Sequence, residues 1–426
     1  MKNRPPAMHA LLNAPALQDY PKAPLKALAT ALFKAHQVTP FACASLNEWV
    51  ELVKERYDSL MSPPLKLLYN ATGVVLSTNL GRAPLEASHL KELELLSDYV
   101  NLEVDMQTGK RANRCALVQE LLKVLFGAED ALVLNNNASA LVLVASVFAP
   151  KAQNKETLLS YGQLVEIGGH FRAHELLDCV TNLKFVGSTN KTYLQDYQHA
   201  LSSNTTLIVS IHLSNFSQQG FVASVGAKEL LKLTTAHKIL FYEDLGSLQS
   251  VPQVQKSLKH AHLVSFSADK LLGSVQGGVV LGASECIQKL AKHPLYRAFR
   301  ADKIQLYMLS KSLQAHIQGQ TNPTQRFLAQ DRDALLNKAL KLLQLLGGVR
   351  ATLIETTALV GGGVADSGLK SFGLLLTPKR NFKELHHTLH QQGLACVLRY
   401  DGVLVDIFAL FEKDLNTIAS IIKNTL

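Results

Sequence analysis

The sequence predicts an α/β protein: a mostly parallel sheet covered by helices, preceded by a small helical unit and followed by a smaller α/β unit. Three observations carry this expectation. The chain has 426 residues, 47% of them hydrophobic and 18% charged, the balance of a globular protein rather than a disordered or fibrous one. Between Lys66 and about Arg300, short β-branched runs alternate with helical stretches, the pattern of strands joined by crossover helices. The length exceeds the usual ~100–200 residues of one domain, so two or three domains are expected.

In chain order, the stretches Pro24–Ala35 and Leu46–Leu60 repeat leucine at helical spacing, and Ser62-Pro63-Pro64 breaks that pattern, which sets a first domain at residues 1–64. The alternating region supplies six strands: Ala131–Leu134, Leu158–Tyr161, Leu207–His212, Ile239–Asp244, His262–Ser267 and Gly278–Gly282. They assign residues 65–300 to a large α/β domain. Residues 301–345 read as helix, and strands near Ser371–Leu376 and Val403–Ala409 complete a smaller C-terminal domain, 301–426. In open sheets of this kind ligands sit beyond the C-terminal ends of the strands. Asn135-Asn136-Asn137, Asp244 and Asp269-Lys270 all follow predicted strands directly.

Lys and Arg total 43 against 34 Asp and Glu, a net charge of +9, which favours a polyanionic partner such as nucleic acid or a phosphorylated substrate. Residues 1–62 carry seven basic and five acidic side chains, a balance that permits RNA binding without requiring it. The five cysteines are scattered and form no C-x-x-C pair, so neither a disulfide framework nor a metal site is expected, and a cytoplasmic setting fits. Pro5, Pro6 and Pro15 interrupt any leader-like apolar run, and Ala138–Pro150 is too short to span a bilayer, so no membrane partner is expected.

Lys270 stands just past a buried strand in Ser265-Phe266-Ser267-Ala268-Asp269-Lys270-Leu271-Leu272-Gly273. A lysine in an apolar setting loses its proton more readily and can form a Schiff base; the plainer reading is a surface lysine on a turn. Asp244 ends a strand 26 residues earlier and suits the acid that pairs with the ring nitrogen of pyridoxal phosphate. Strand alternation sends Glu243 to the opposite face. Asn137 and Ser139 begin an apolar helix whose free amides can hold the cofactor phosphate, although capping alone would explain them. Ser267 is a further cofactor contact, and His170, in Glu166-Ile167-Gly168-Gly169-His170, is a ring-stacking candidate or a packed turn residue. The basic run Lys289, Lys292, Arg297, Arg300, Lys303 is a phosphate grip or a solvated helix face. His174-Glu175-Leu176-Leu177-Asp178 lacks the second histidine of a zinc helix, and Gly361-Gly362-Gly363 lacks dinucleotide spacing and reads as a loop.

With these residues in view, the sequence resembles bacterial selenocysteine synthase, the L-seryl-tRNA(Sec) selenium transferase family, over nearly its whole length. The matching stretches are Asn70-Ala71-Thr72-Gly73-Val74-Val75-Leu76-Ser77-Thr78-Asn79-Leu80-Gly81-Arg82-Ala83, Val133–Ala140, the run from Gly162 to Gly169, Ser265–Gly273 and His293-Pro294-Leu295-Tyr296-Arg297-Ala298-Phe299-Arg300-Ala301-Asp302-Lys303. The resemblance implies a type I aminotransferase-like fold, pyridoxal 5'-phosphate on Lys270, Asp269 as an acid beside the reaction, and Arg82, Arg297 and Arg300 on the incoming selenophosphate. It implies that the N-terminal domain holds seryl-tRNA(Sec), and that the protein is a ring-shaped homo-oligomer built from dimers. The chain departs from the family pattern at His170, at Leu248, which stands for glycine after Asp244-Leu245-Gly246-Ser247, and at Ser274-Val275.

The activity so implied is conversion of seryl-tRNA(Sec) to selenocysteinyl-tRNA(Sec), by loss of the β-hydroxyl and addition of selenium, with Lys270 as general base. Two other readings fit fewer features. A small-molecule lyase on the same core needs no N-terminal domain, and a tRNA-binding protein without activity needs no intact Lys270–Asp244 pair.

Overall fold

The computed structural model describes residues 4–63, 65–164, 166–168, 171–213, 218–247, 250–361, 368–378 and 381–426. The chain divides into two compact units, Met1–Leu68 and Tyr69–Leu426. Pro64, where the sequence sets the first boundary, lies outside the described residues.

In the N-terminal unit the two expected helices form as Lys22–Val38 and Leu46–Met61. The second begins with a capping box: Ser45 Oγ accepts from Glu48 N at 3.3 Å and Glu48 Oε2 from Ser45 N at 3.0 Å, satisfying amides that the first turn leaves unpaired. Leu25, Ala29, Trp49, Val50 and Val53 form its core, with Leu11 and Leu17 from the segment before.

The second unit holds a seven-stranded sheet in the order 130–134, 278–282, 263–267, 240–247, 205–211, 156–160, 182–186. All six strands expected from the sequence are present, and Asn182–Val186 adds a seventh at the edge. Pairing is parallel from 263–267 to 182–186, whereas Gly278–Gly282 runs antiparallel to both of its neighbours. The connection 268–277 explains the reversal, because a parallel neighbour needs a crossover of a dozen or more residues. Both faces are covered: Ala131 and Val133 pack with Val118, Leu122 and Leu306, while Leu132 and Leu134 pack with Leu141, Val144 and Leu290. Double coverage is why these strands read as continuous apolar runs rather than alternating ones.

A second sheet has the order 397–399, 402–406, 369–376, 351–361, 74–76. Helices Arg332–Leu346, Phe382–Gln391 and Leu415–Thr425 supply Leu335, Ala339, Leu342, Leu385, Leu389, Ile418 and Ile422 to its core. Its edge strand, Val74–Leu76, comes from the other end of this unit and pairs with Leu359 and Gly361, while Tyr69–Asn70 pairs with Leu394–Ala395. The chain from Tyr69 to Leu76 is therefore laddered to the C-terminal strands rather than to the large sheet that the 65–300 boundary groups it with. Strands of two and three residues are too short to show a period, and their partners lie some three hundred residues away. No helix among the described residues is long and apolar enough to cross a membrane.

Candidate active site

Strands 130–134, 240–247 and 263–267 are parallel to one another in direction and end on the same edge of the sheet. That edge brings together residues distant in sequence: Asn137 Nδ2 donates to Asp244 Oδ1 at 2.8 Å. Strand 278–282 starts there too, and only glycine fits its first position. A Cβ on Gly278 would stand 2.2 Å from the Asn136 carbonyl oxygen and 2.9 Å from Asn137 N, so the bare backbone lets the start of helix Asn137–Phe148 settle onto the sheet. Asn136 caps that helix, its Oδ1 accepting from Ser139 N at 2.8 Å, and Ser139 Oγ donates to Asn135 Oδ1 at 2.7 Å. The Ser139 hydroxyl proton is thus committed to the cap. Asn137 Oδ1 is buried and has no hydrogen-bond partner.

Lys270 is 8% exposed, and its Nζ donates to Ser247 Oγ at 2.9 Å. Burial pushes its pKa down; Asp269 and Asp244 oppose that shift and Arg82 adds to it. The amine is therefore released from its proton more easily than an exposed lysine. The loop carrying it is clamped from behind, with Asn322 Nδ2 donating to the carbonyls of Leu271 and Leu272, both at 3.1 Å. Gly273, at φ +68°, passes so close to Asn322 that a Cβ would sit 2.5 Å from its Cγ.

Asp244 is 2% exposed. Burial raises its pKa, opposed by hydrogen bonds from Asn137, Gly246 and Ser265 and by the Lys270 charge. All three donors meet Oδ1, at 2.8, 2.9 and 3.3 Å. The neighbouring Glu243 interacts instead with Ser257 and His260, in keeping with the expected alternation. Ser267 closes its strand in register with Ser247 on one side and Gly278 on the other. Beside Asp244 a cavity of about 470 Å³ is lined by Ser160, Gln163, Thr192, Ser210 and His212. Gln163 donates to Ser210 Oγ at 2.9 Å while its Oε1 stays buried and unpaired.

The expected arginines divide into two groups. Arg82, held at φ +64°, makes an ion pair with Asp269 Oδ2, and Asp269 Oδ1 is buried without a partner. Arg297 is exposed on helix Pro294–Ala298. Arg300 lies with its guanidinium 5.9 Å from the Tyr296 ring centre and its Nε buried without a partner. This second group is anchored at the site edge, since Phe299 O accepts from Asn135 N at 2.8 Å and Gln305 Nε2 bridges the carbonyls of Asn135 and Gln276. Among the described residues no contact joins Arg82 to Arg297 or Arg300. His170 and Leu248 lie outside the described residues. Sequence reasoning missed Ser247, Gln163, His212 and Asn322; of these Ser247 had a signal, directly after the glycine in Asp244-Leu245-Gly246-Ser247.

The sequence matches a known family over most of its length. The L-seryl-tRNA selenium transferase family model covers residues 68–410. The chain belongs to that family. Relatives named L-seryl-tRNA(Sec) selenium transferase include those of Aquifex aeolicus, 37% identical with 89% of each chain covered, and of Aliarcobacter butzleri, 35% identical over 89% of this chain and 87% of the relative. That of Campylobacter fetus, 34% identical, spans 99% of this chain and 98% of its own. Among solved structures, D-glucosaminate-6-phosphate ammonia-lyase superposes with a TM-score of 0.64 at 16% identity, covering 87% of this chain and 97% of that one. The fold is the type I aminotransferase-like fold. The family match starts at the boundary between the two units.

Proposed function

We propose that this protein converts seryl-tRNA(Sec) to selenocysteinyl-tRNA(Sec) with selenophosphate, carrying pyridoxal 5'-phosphate on Lys270. The observation that carries the reading is the buried pair Lys270 and Asp244, surrounded by polar atoms that nothing else occupies: Asn137 Oδ1, Gln163 Oε1 and Asp269 Oδ1. Buried polar atoms of folded proteins are nearly always hydrogen-bonded, so three without partners around one lysine fit a polar ligand. Helix Asn137–Phe148 starts on the same sheet edge, and its free N-terminal amides fit the phosphate.

Pyridoxal phosphate would supply an electron sink for charge left at the substrate α-carbon. The residues do the rest. Asp244 keeps a proton on the ring nitrogen by holding a carboxylate where burial makes its charge strongly felt. The Lys270 amine, with its depressed pKa, takes the α-proton at Nζ. The β-hydroxyl of the seryl group leaves as water, selenium of the donor bonds to the β-carbon, and hydrolysis of the Se–P bond releases phosphate, the group that Arg82, Arg297 and Arg300 hold. Asp269 holds Arg82 in position through their ion pair.

In this reading residues 1–64 hold the tRNA, the setting is cytoplasmic, and the protein works as a ring-shaped homo-oligomer of dimers. Exposed apolar side chains at Leu95, Tyr99, Met106 and Leu117 support association, since apolar surface gathered in one stretch is commonly covered by a partner.

The deciding experiment supplies purified protein with pyridoxal phosphate and seryl-tRNA(Sec), adds selenophosphate, and identifies the amino acid on the tRNA by mass spectrometry. Selenocysteine is the expected product. Bound coenzyme with the serine unchanged would point to a small-molecule lyase instead, and absence of bound coenzyme to a tRNA-binding protein without activity.

A further inference from the structure

We infer that Phe221 and Lys191 form a clamp for the single-stranded 3' end of the tRNA, Phe221 stacking on its last base and Lys191 meeting the adjoining phosphate. The inference rests on the functional reading above for the identity of the RNA, and on geometry for the clamp.

Phe221 is 80% exposed, on a segment held by several hydrogen bonds. Asn190 Nδ2 donates to the Phe221 carbonyl at 2.7 Å. Thr192 N donates to Ala223 O at 2.9 Å and Ala223 N to Asn190 O at 3.0 Å. Gln218 Nε2 reaches Thr189 O at 2.7 Å, and Gly220 turns the chain at φ +90°. Residues 188–192 and 218–225 are thereby stitched into one rigid rim. The exposed ring and the cation beside it are held on that rim as a pair. The Lys191 ammonium lies 3.3 Å from the centre of the ring. It makes no ion pair among the described residues, so its charge is available to a phosphate.

The rim is the mouth of the site. Lys191, Gln218, Val222 and Ala223 line the same cavity as Asp244, while Phe221 stands just outside it. About 470 Å³ is too small for an RNA duplex, so an RNA end that enters beside Asp244 must be single-stranded. Its base is left at the mouth, beside an exposed aromatic ring and a cation, the pairing by which proteins bind single strands without reading their sequence. A second copy of the chain covering Phe221 is the rival occupant, and the assembly state of the Phe221 variant tells the two apart.

The test measures binding by the full-length protein of uncharged tRNA(Sec) and of the same tRNA lacking its 3'-terminal nucleotide. The wild type should prefer the complete tRNA by about tenfold, the scale of one base stacked on an aromatic ring. Phe221→Ala should abolish that preference, Phe221→Trp should keep it, and Lys191→Gln should weaken binding of the complete tRNA with a smaller salt dependence. Equal binding of both tRNAs by the wild type, or a preference that survives Phe221→Ala, overturns the inference. So does a smaller assembly of Phe221→Ala by light scattering with its tRNA preference intact, which would assign Phe221 to a subunit contact. Terminal-nucleotide preference lost in Phe221→Ala upholds the clamp even if no selenium is transferred, and in that event only the functional reading falls.

Discussion

Each of the two sheets sets a lysine near a buried aspartate, the buried Lys270 near Asp244 and the half-buried Lys338 near Asp406, and the two pairs are used differently. In the five-stranded sheet Asp406, 2% exposed, spends both carboxylate oxygens: Oδ1 accepts from Ser371 Oγ and Phe408 N, each at 2.9 Å, and Oδ2 from Thr356 Oγ1 at 2.6 Å. Its companion Lys338 donates to Gln330 Oε1 and to the carbonyls of Leu410 and Ile407. In the seven-stranded sheet Asp244 takes its three donors on one oxygen, and Lys270 gives one hydrogen bond, to Ser247. Burial depresses the Lys338 pKa to about 8 and also lowers that of Lys270. A shifted lysine therefore does not mark the site by itself. Unspent hydrogen-bonding capacity next to the shifted lysine does.

The sharpest way to break this contrast is to remove each lysine in turn. Lys270→Ala should abolish turnover and the absorbance of coenzyme bound to lysine. Lys338→Met should keep both. If Lys270→Ala retained the lysine-bound absorbance, the cofactor assignment would be wrong. Removing the acids separates function from folding in the same way. Asp244→Asn leaves an acceptor for the three donors but loses the charge facing the coenzyme, so kcat should fall by about 10²-fold with little change in melting temperature. Asp406→Ala strands three donors and should cost about 3 kcal/mol of stability, read from denaturant unfolding, while kcat per folded molecule holds. A large loss of kcat in Asp406→Ala would erase the distinction.

A smaller effect tests the same idea on arginines. Arg172 is exposed and ion-paired with Glu166 and Glu175 at 3.2 and 3.1 Å, whereas Arg300 keeps a buried Nε without a partner. Arg300→Gln should raise the KM for selenophosphate by about tenfold, the value of one charge-assisted contact, with coenzyme binding unchanged. Arg172→Gln should leave the KM alone and change stability by less than about 1 kcal/mol.

Much of the large sheet was legible because buried parallel strands write themselves as apolar runs, and Asp244 and Lys270 each stand at the end of one. Of the longer strands, two were not read. Asn182–Val186 lies at the sheet edge, half-covered, and Ala351–Gly361 interleaves Thr and Glu with apolar residues before the glycines that suggested a loop. The Lys270 amine was legible, but what positions it was not. Asn322 reaches the lysine loop from about fifty residues downstream, and Arg82 meets Asp269 across 187 residues. Such contacts depend on how the chain returns, and no local pattern encodes them. Arg82 was found through resemblance alone; its partner came only with the fold.

The finest test of the two pairs is the pH dependence of stability in the coenzyme-free protein. Lys338 has a folded pKa of about 8 against about 10.5 when unfolded. Between those values the unfolded chain holds more protons than the folded one, so stability rises with pH. Below pH 8 both states are protonated and this contribution is flat; above about 10.5 both are neutral and it is flat again. Wild type should therefore gain stability over Lys338→Met as pH climbs from about 8 to 10.5, in matched denaturant titrations. Lys270→Met should show the same sign, because its folded pKa is also depressed, with the window opening where Lys270 itself titrates. Loading the coenzyme then separates the two: it engages Lys270 and should remove the pH-dependent difference between wild type and Lys270→Met, while the Lys338 difference persists. A Lys338 difference that vanished on loading would mean that the two sites are coupled through the fold, and that the second sheet takes part in coenzyme binding rather than standing apart from it.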